Sequence, residues 1–163
     1  HMEEEINDLA IESLALLAPV ASDLRKVIAA IKIASELERI GDYAKNISKF
    51  LIKNDHLTDI VCDYAISMEK DLIGMLEKAM QCMVDQDEEA AFAIPESDHR
   101  INQQMKDIRE KLLSQNGVDK EQLLDELFEI SAMLRNIERA GDHVKNICEH
   151  ILYMMKGQHY DFG

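Results

Sequence analysis

Apolar residues recur every three or four positions along almost the whole chain, a rhythm that predicts helices and little else. Ile6, Leu9, Ala10, Leu14, Leu17 and Ala18 form a first stripe, which Pro19 closes. Ser22 and Asp23 then offer side-chain oxygens as N-caps. A second stripe, from Leu24 through Ile31, Leu37, Ile40 and Ile47 to Ile52, ends near Asn54. It predicts a helix of roughly 30 residues, about 45 Å long. A third helix is expected from Thr58 or Asp59 to about Met83, with Ala65, Met68, Leu72 and Met75 on its apolar face. A fourth is expected from about Gln86 to Ser114, bent at Pro95. Asn116-Gly117 signals a stop, and Asp119 to Gln122 reads as a capping box. The last helix should then run to Lys156, ahead of an irregular tail at 158–163.

Within this helical pattern one segment occurs twice. Glu38-Arg39-Ile40-Gly41-Asp42-Tyr43-Ala44-Lys45-Asn46-Ile47 returns as Glu138-Arg139-Ala140-Gly141-Asp142-His143-Val144-Lys145-Asn146-Ile147. A weaker echo relates Ile6-Asn7 to Ile101-Asn102 at a slightly shorter offset. The repeat divides the chain into 3–57, holding two helices, and 58–157, holding three. Two such units are too few for a solenoid, so side-by-side bundles related by a pseudo-twofold axis are expected.

The repeated segment carries the candidate chemistry. Glu38, Asp42 and Asn46 stand four residues apart and share one helix face, as do Glu138, Asp142 and Asn146. Like charges at that spacing disfavour a helix by a few tenths of a kcal/mol per pair. A mid-helix glycine, Gly41 or Gly141, costs roughly 1 kcal/mol more against alanine. One such copy reads as a solvated face. Two copies sharing their glycine and asparagine call for a compensating cation and a close neighbour. Carboxylate oxygens are hard ligands, which favours Mg, Mn, Fe or Ca, with Zn also compatible. Arg39 and Arg139 can support the carboxylates from behind.

Other features change the picture little. Glu96 to His99 has the E-x-x-H spacing of di-iron bundles, but no second pair exists, and a place just after Pro95 suits an acidic helix start. The same stretch contains Asp98, a candidate additional ligand. Nucleotide-binding glycine loops and hydrolase or zincin signatures are missing, so an enzyme is not expected. The formal charge of -14 argues against nucleic acid as a direct partner and for cations or basic protein surfaces. Three cysteines without a CxxC fit a reducing cytosol. The longest uncharged run, Ser13 to Ser22, is half a membrane span, so no direct membrane insertion is expected.

Pro19 to Arg25, Leu37 to Asp42 with Asn46-Ile47, and Ile137 to Asp142 with Asn146 to Glu149 resemble the PhoU family, as does the stretch Ile151 to Gly157. The resemblance implies an all-α tandem repeat of three-helix bundles, with the first helix of the first repeat missing here. It implies metal clusters on the Glu/Asp-x-x-x-Asp motifs, thus on Glu38, Asp42, Glu138 and Asp142, holding Fe, Mn, Mg or Zn. It also implies a cytoplasmic regulator of phosphate uptake and starvation signalling, a negative one. Such a protein works between the ATPase of a phosphate ABC transporter and a sensor histidine kinase. A missing helix would leave Leu14, Ile28, Ile31 and Leu37 uncovered, so a homodimer is expected. Two other readings stay open: the regulatory domain of a sodium/phosphate cotransporter, and a helical-bundle di-metal enzyme.

Overall fold

The computed structural model describes residues 1–54, 59–114 and 120–163. Among these there are helices and turns but no strand. The elements are α1 (Met2–Leu17), α2 (Ser22–Lys53), α3 (Asp59–Asp85), α4 (Glu88–Ala93), a 3-10 turn (Ile94–Ser97), α5 (Asp98–Leu113) and α6 (Lys120–Lys156). The two motif-bearing helices are the longest, α2 with 32 residues and α6 with 37. Thr58, the Asn116-Gly117 stop and Asp119 of the expected capping box fall outside the described residues.

Helices α2 and α6 pack along each other and form the spine of the molecule, with α1 against α2, and α3 and α5 against α6. Their apolar stripes meet in one core. Ile33, Ile40 and Ile47 of α2 join Leu134, Ile137, Val144, Ile147 and Ile151 of α6 in it. Tyr43 stacks on His143, with ring centroids 5.5 Å apart. These two residues hold the same place in the two motif copies, so the copies meet each other along the α2–α6 contact.

Three local outcomes differ from the expected boundaries. First, α2 begins at Ser22 itself, and its N-cap is Ala21, without a side-chain bond. Pro19 sits between two residues of positive φ, Ala18 at φ 43 and Ala21 at φ 51, so the reversal is complete before Ser22 and Asp23. Second, the fourth helix is broken rather than bent. Asp87 caps α4 by accepting from the Ala90 amide at 3.0 Å. Pro95, which lacks an N–H, then sits in a 3-10 turn, and α5 starts afresh at Asp98. Third, Leu14, Ile28, Ile31 and Leu37 are half-buried. The large apolar residues left exposed in the first hairpin are instead Met2, Leu9, Ile11, Leu16, Leu17, Val20 and Ile52.

The Pro19–Arg25 segment acts on the far end of α6. Arg25 Nε donates to the Met154 carbonyl at 3.5 Å, and its side chain lies over Gly157. Gly157, at φ 70, ends α6 in a conformation that disfavours any side chain. A guanidinium at a helix C-terminus is favoured by the helix dipole as well.

Candidate functional site

The second motif copy is enclosed. Asp98, at the start of α5, is the one charged residue that is buried among the described residues. It lies directly on Gly141: a methyl group there would sit 2.8 Å from Asp98 Oδ1. The mid-helix glycine is thus explained by the approach of a carboxylate from the neighbouring helix. Asn102, one turn along α5, donates to Asp98 Oδ2 at 2.9 Å. Lys145 bridges the two helices, 2.9 Å from Asp142 Oδ1 and 3.5 Å from Asp98 Oδ2. Burial alone pulls the Lys145 ammonium down, but the hydrogen bond and charge of Asp142, with Asp98 behind, outweigh it and hold the ammonium above its usual value. Glu138 is exposed and lines a neighbouring cleft with His99, Asn102, Lys106 and Arg109.

The first copy is open. Glu38, Asp42 and Asn46 are all exposed, and nothing lies within 4 Å of a methyl group placed on Gly41. Glu38 shares a cleft of about 380 Å³ with Glu3 of α1. One turn beyond Glu3, the Asn7 Oδ1 atom is buried with no hydrogen-bond partner. Glu3 and Asn7 on α1 stand in the register of Asp98 and Asn102 on α5, the offset of the Ile-Asn echo.

Between the copies lies a third polar group. Glu36 of α2 pairs through Oε2 with His143 Nδ1, accepts from Asn146 Nδ2 at 3.2 Å, and has His150 Nε2 3.6 Å from Oε1. Burial pushes the Glu36 carboxyl up, but the hydrogen bonds from His143 and Asn146 and the charge of the histidines prevail, so it sits below its usual range. Burial, ahead of the attraction of Glu36, pulls His150 below its own.

A family model described as "PhoU domain" matches residues 1–51 and 65–151. The chain belongs to the PhoU family. It is 33% identical over 158 residues to the phosphate-specific transport system accessory protein PhoU of Serratia marcescens. That alignment covers 96% of this chain and 65% of the relative, so the chain spans less than two thirds of its relative's length. The crystal structure of PhoU from Pseudomonas aeruginosa superposes with a TM-score of 0.84 at 26% identity, covering 96% of this chain and 76% of that one. The phosphate transport system regulatory protein PhoU of Streptococcus pneumoniae gives 0.74 at 26% identity, covering 98% and 78%. These relatives are named as accessory and regulatory proteins, not as enzymes. No helix among the described residues is long and apolar enough to cross a membrane.

The residues expected to serve the PhoU motifs divide by copy. Asp98 and Asp142 are brought together through Lys145, with Glu138 on the rim. Glu38 and Asp42 remain on the surface, Glu38 opposite Glu3. Arg39 and Arg139 are exposed, and among the described residues neither forms an ion pair with a carboxylate. Asn146 serves Glu36, not Asp142. Glu96 and His99 are exposed. Among the described residues no three or more His, Cys, Asp or Glu side chains converge as a ready metal cage. The donors present nonetheless suit a hard cation. They are carboxylate and amide oxygens, one buried amide oxygen is orphaned at Asn7, and an ammonium lies between Asp98 and Asp142. Sequence reasoning passed over Asn102, Glu3, Asn7 and Lys145. The Ile-Asn echo marks the first three, since four residues before each asparagine lies the acid that meets a motif helix. No sequence signal picks out Glu36, because its partners come from a helix more than 100 residues away.

Proposed function

We propose that this chain is a cation-binding regulator of phosphate uptake and phosphate-starvation signalling that works by contact, not turnover. The observation that carries the reading is the pair of motif helices, each with an acidic face met by a second acid-and-asparagine helix: Glu3 and Asn7 for the first, Asp98 and Asn102 for the second. The names of the relatives, accessory and regulatory proteins of phosphate transport, support the physiological side. In this reading the units are 3–57 and 58–157, with 158–163 as a tail. The ligands are Glu38, Asp42, Glu138 and Asp142, with Asp98 added, and the cation is Fe, Mn, Mg or Zn. A bound cation turns the repulsion between paired carboxylates into attraction and screens part of the -14 charge. The partners are the ATPase of a phosphate ABC transporter and a sensor histidine kinase, met in the cytoplasm, with a homodimer covering the exposed apolar side of α1.

The test is a Mn²⁺ titration followed by melting temperature, on the parent chain and on an Asp42→Asn, Asp142→Asn double variant. The parent should gain stability with rising Mn²⁺, and the variant should gain clearly less. Equal gains in both would mean that these carboxylates are only a solvated face. Binding of the parent to the purified ATPase and to the kinase's cytoplasmic part, measured with and without Mn²⁺, tests the partners. Absence of binding to either in both conditions would reject them.

A further inference from the structure

Lys145 is unusual for a lysine on the polar side of a helix. Its side chain is only 13% exposed. An ammonium has three donors, and three oxygens surround this one. Two belong to Asp142 and Asp98, at 2.9 and 3.5 Å. The third is the Gly163 carbonyl, at 2.7 Å. Lys45, in the same place of the first copy, is exposed. The segment that delivers Gly163 is held at three more points, one of them the stack of His159 on Tyr153 with ring centroids 4.6 Å apart. The Phe162 amide donates to Glu149 Oε1 at 2.8 Å, and the rings of Tyr160 and Phe162 stand edge-on to Phe92 at 5.0 and 6.1 Å. Residues 158–163 therefore double back from the end of α6 and finish over the second motif copy.

We propose that Lys145 is a built-in cation of the second carboxylate pair and that segment 158–163 is the latch that holds it there. A hard metal ion and the latched tail then exclude one another. This rests on the reading of Asp98 and Asp142 as metal ligands. The reason is the competition for oxygens. A divalent ion entering between Asp98 and Asp142 takes the lone pairs that Lys145 now uses, and two cations a few ångströms apart repel. Lys145 swings out and releases Gly163. Phe92 and Glu149 keep a weaker hold on the tail, so the release is partial and reversible. Linkage makes the coupling reciprocal: whatever frees the tail tightens the metal by the same factor. A protein contact that peels residues 158–163 from α6 would raise cation affinity at this copy, whereas Lys45 of the first copy is exposed.

The test uses Mn²⁺ as probe and four chains: the parent, Lys145→Met, which keeps most of the apolar stem, Phe162→Ala, which loosens the tail away from the carboxylates, and the double variant. Calorimetric titration should show Lys145→Met binding Mn²⁺ on the order of tenfold more tightly than the parent, and Phe162→Ala a few-fold more tightly. Phe162→Ala added to Lys145→Met should bring no further gain, because the coupling runs through Lys145. Hydrogen exchange of 158–163 in the parent should quicken with Mn²⁺, and in Lys145→Met it should be quick without it. Slow exchange of the α6 core amides in every chain certifies folding. Equal Mn²⁺ affinities, with tail exchange indifferent to Mn²⁺, overturn the latch while leaving the metal reading intact. No Mn²⁺ binding by any of the chains overturns both, and is told apart by that blank.

Discussion

Two stretches of ten residues, Glu38–Ile47 and Glu138–Ile147, share seven identities and stand in different worlds. On α6 the glycine faces the buried Asp98, the lysine is enclosed, and the asparagine bonds across to Glu36. On α2 the glycine faces open space, and the lysine and asparagine are exposed. What differs is the number of helices around each copy. Among the described residues helix α6 is packed by α2, α3, α4 and α5, whereas α2 has only α1 and α6. A motif specifies which groups share a face. Neighbouring helices decide whether those groups are dry, paired and costly to change.

The largest test of this contrast lies in the apolar positions just ahead of each motif. Ile137 is fully buried, and its counterpart Leu37 is half-buried. Ile137→Ala should cost about 2–5 kcal/mol through lost transfer energy and a cavity. Leu37→Ala should cost less than half as much, since water can fill the space. Urea unfolding midpoints of the two variants decide it, and equal losses would remove the packing difference between the copies.

Next in size is the acid that meets each glycine helix. Asp98→Ala leaves Asn102 without its acceptor and takes from Lys145 one of its three oxygens, and should cost about 2 kcal/mol. Glu3→Ala, its counterpart on α1, removes an acid from an exposed helix start and should stay within about 1 kcal/mol. Thermal unfolding in a metal-free buffer is the measurement. A Glu3→Ala loss as large as that of Asp98→Ala would show that the first copy is as enclosed as the second.

The glycines themselves should change sign. At Gly41 a methyl group meets nothing, so Gly41→Ala should stabilise by up to about 1 kcal/mol through helix propensity. At Gly141 the methyl must push aside the carboxylate of Asp98, a short side chain tied through Oδ2 to Asn102 and Lys145. Crowding there should turn the same gain into a net loss of about 1–2 kcal/mol. Two stabilising substitutions would mean that Asp98 moves aside freely.

Much of this was legible in the residues. The 3.6-residue rhythm located every long helix, because burial of one face is what makes these helices stable. The doubled Glu-x-x-x-Asp-x-x-x-Asn pattern located both candidate faces. The uneven fates of Gly41 and Gly141 were not legible, since a glycine's neighbour belongs to another helix. Nor was the break at Pro95: its ring forbids the helical hydrogen bond, but only Asp98 fitting on Gly141 shows where α5 must restart. Lys145 reads as an ordinary solvated lysine until segment 158–163 is seen to turn back over it.

The smallest effect concerns the junction that both copies share. Glu36 is more acidic in the folded protein than in the unfolded chain, so the unfolded chain binds more protons as pH falls through the carboxylate range. Its contribution is present above its unfolded pKa and is lost as pH drops through the folded one. His150 acts in the same direction at a higher window. Its folded value is depressed, so below the usual histidine range the unfolded chain gains a proton that the folded one resists. Both groups make acid destabilising. His150→Gln should therefore flatten the dependence of the urea midpoint on pH between about 7 and 5.5. Glu36→Gln should flatten it only below about pH 5, where the carboxylate begins to protonate. If either variant runs parallel to the parent through its own window, that group does not feel the fold. The joint between α2 and α6 would then be held by its apolar side chains, the Tyr43–His143 stack and the bond from Arg25 to the Met154 carbonyl.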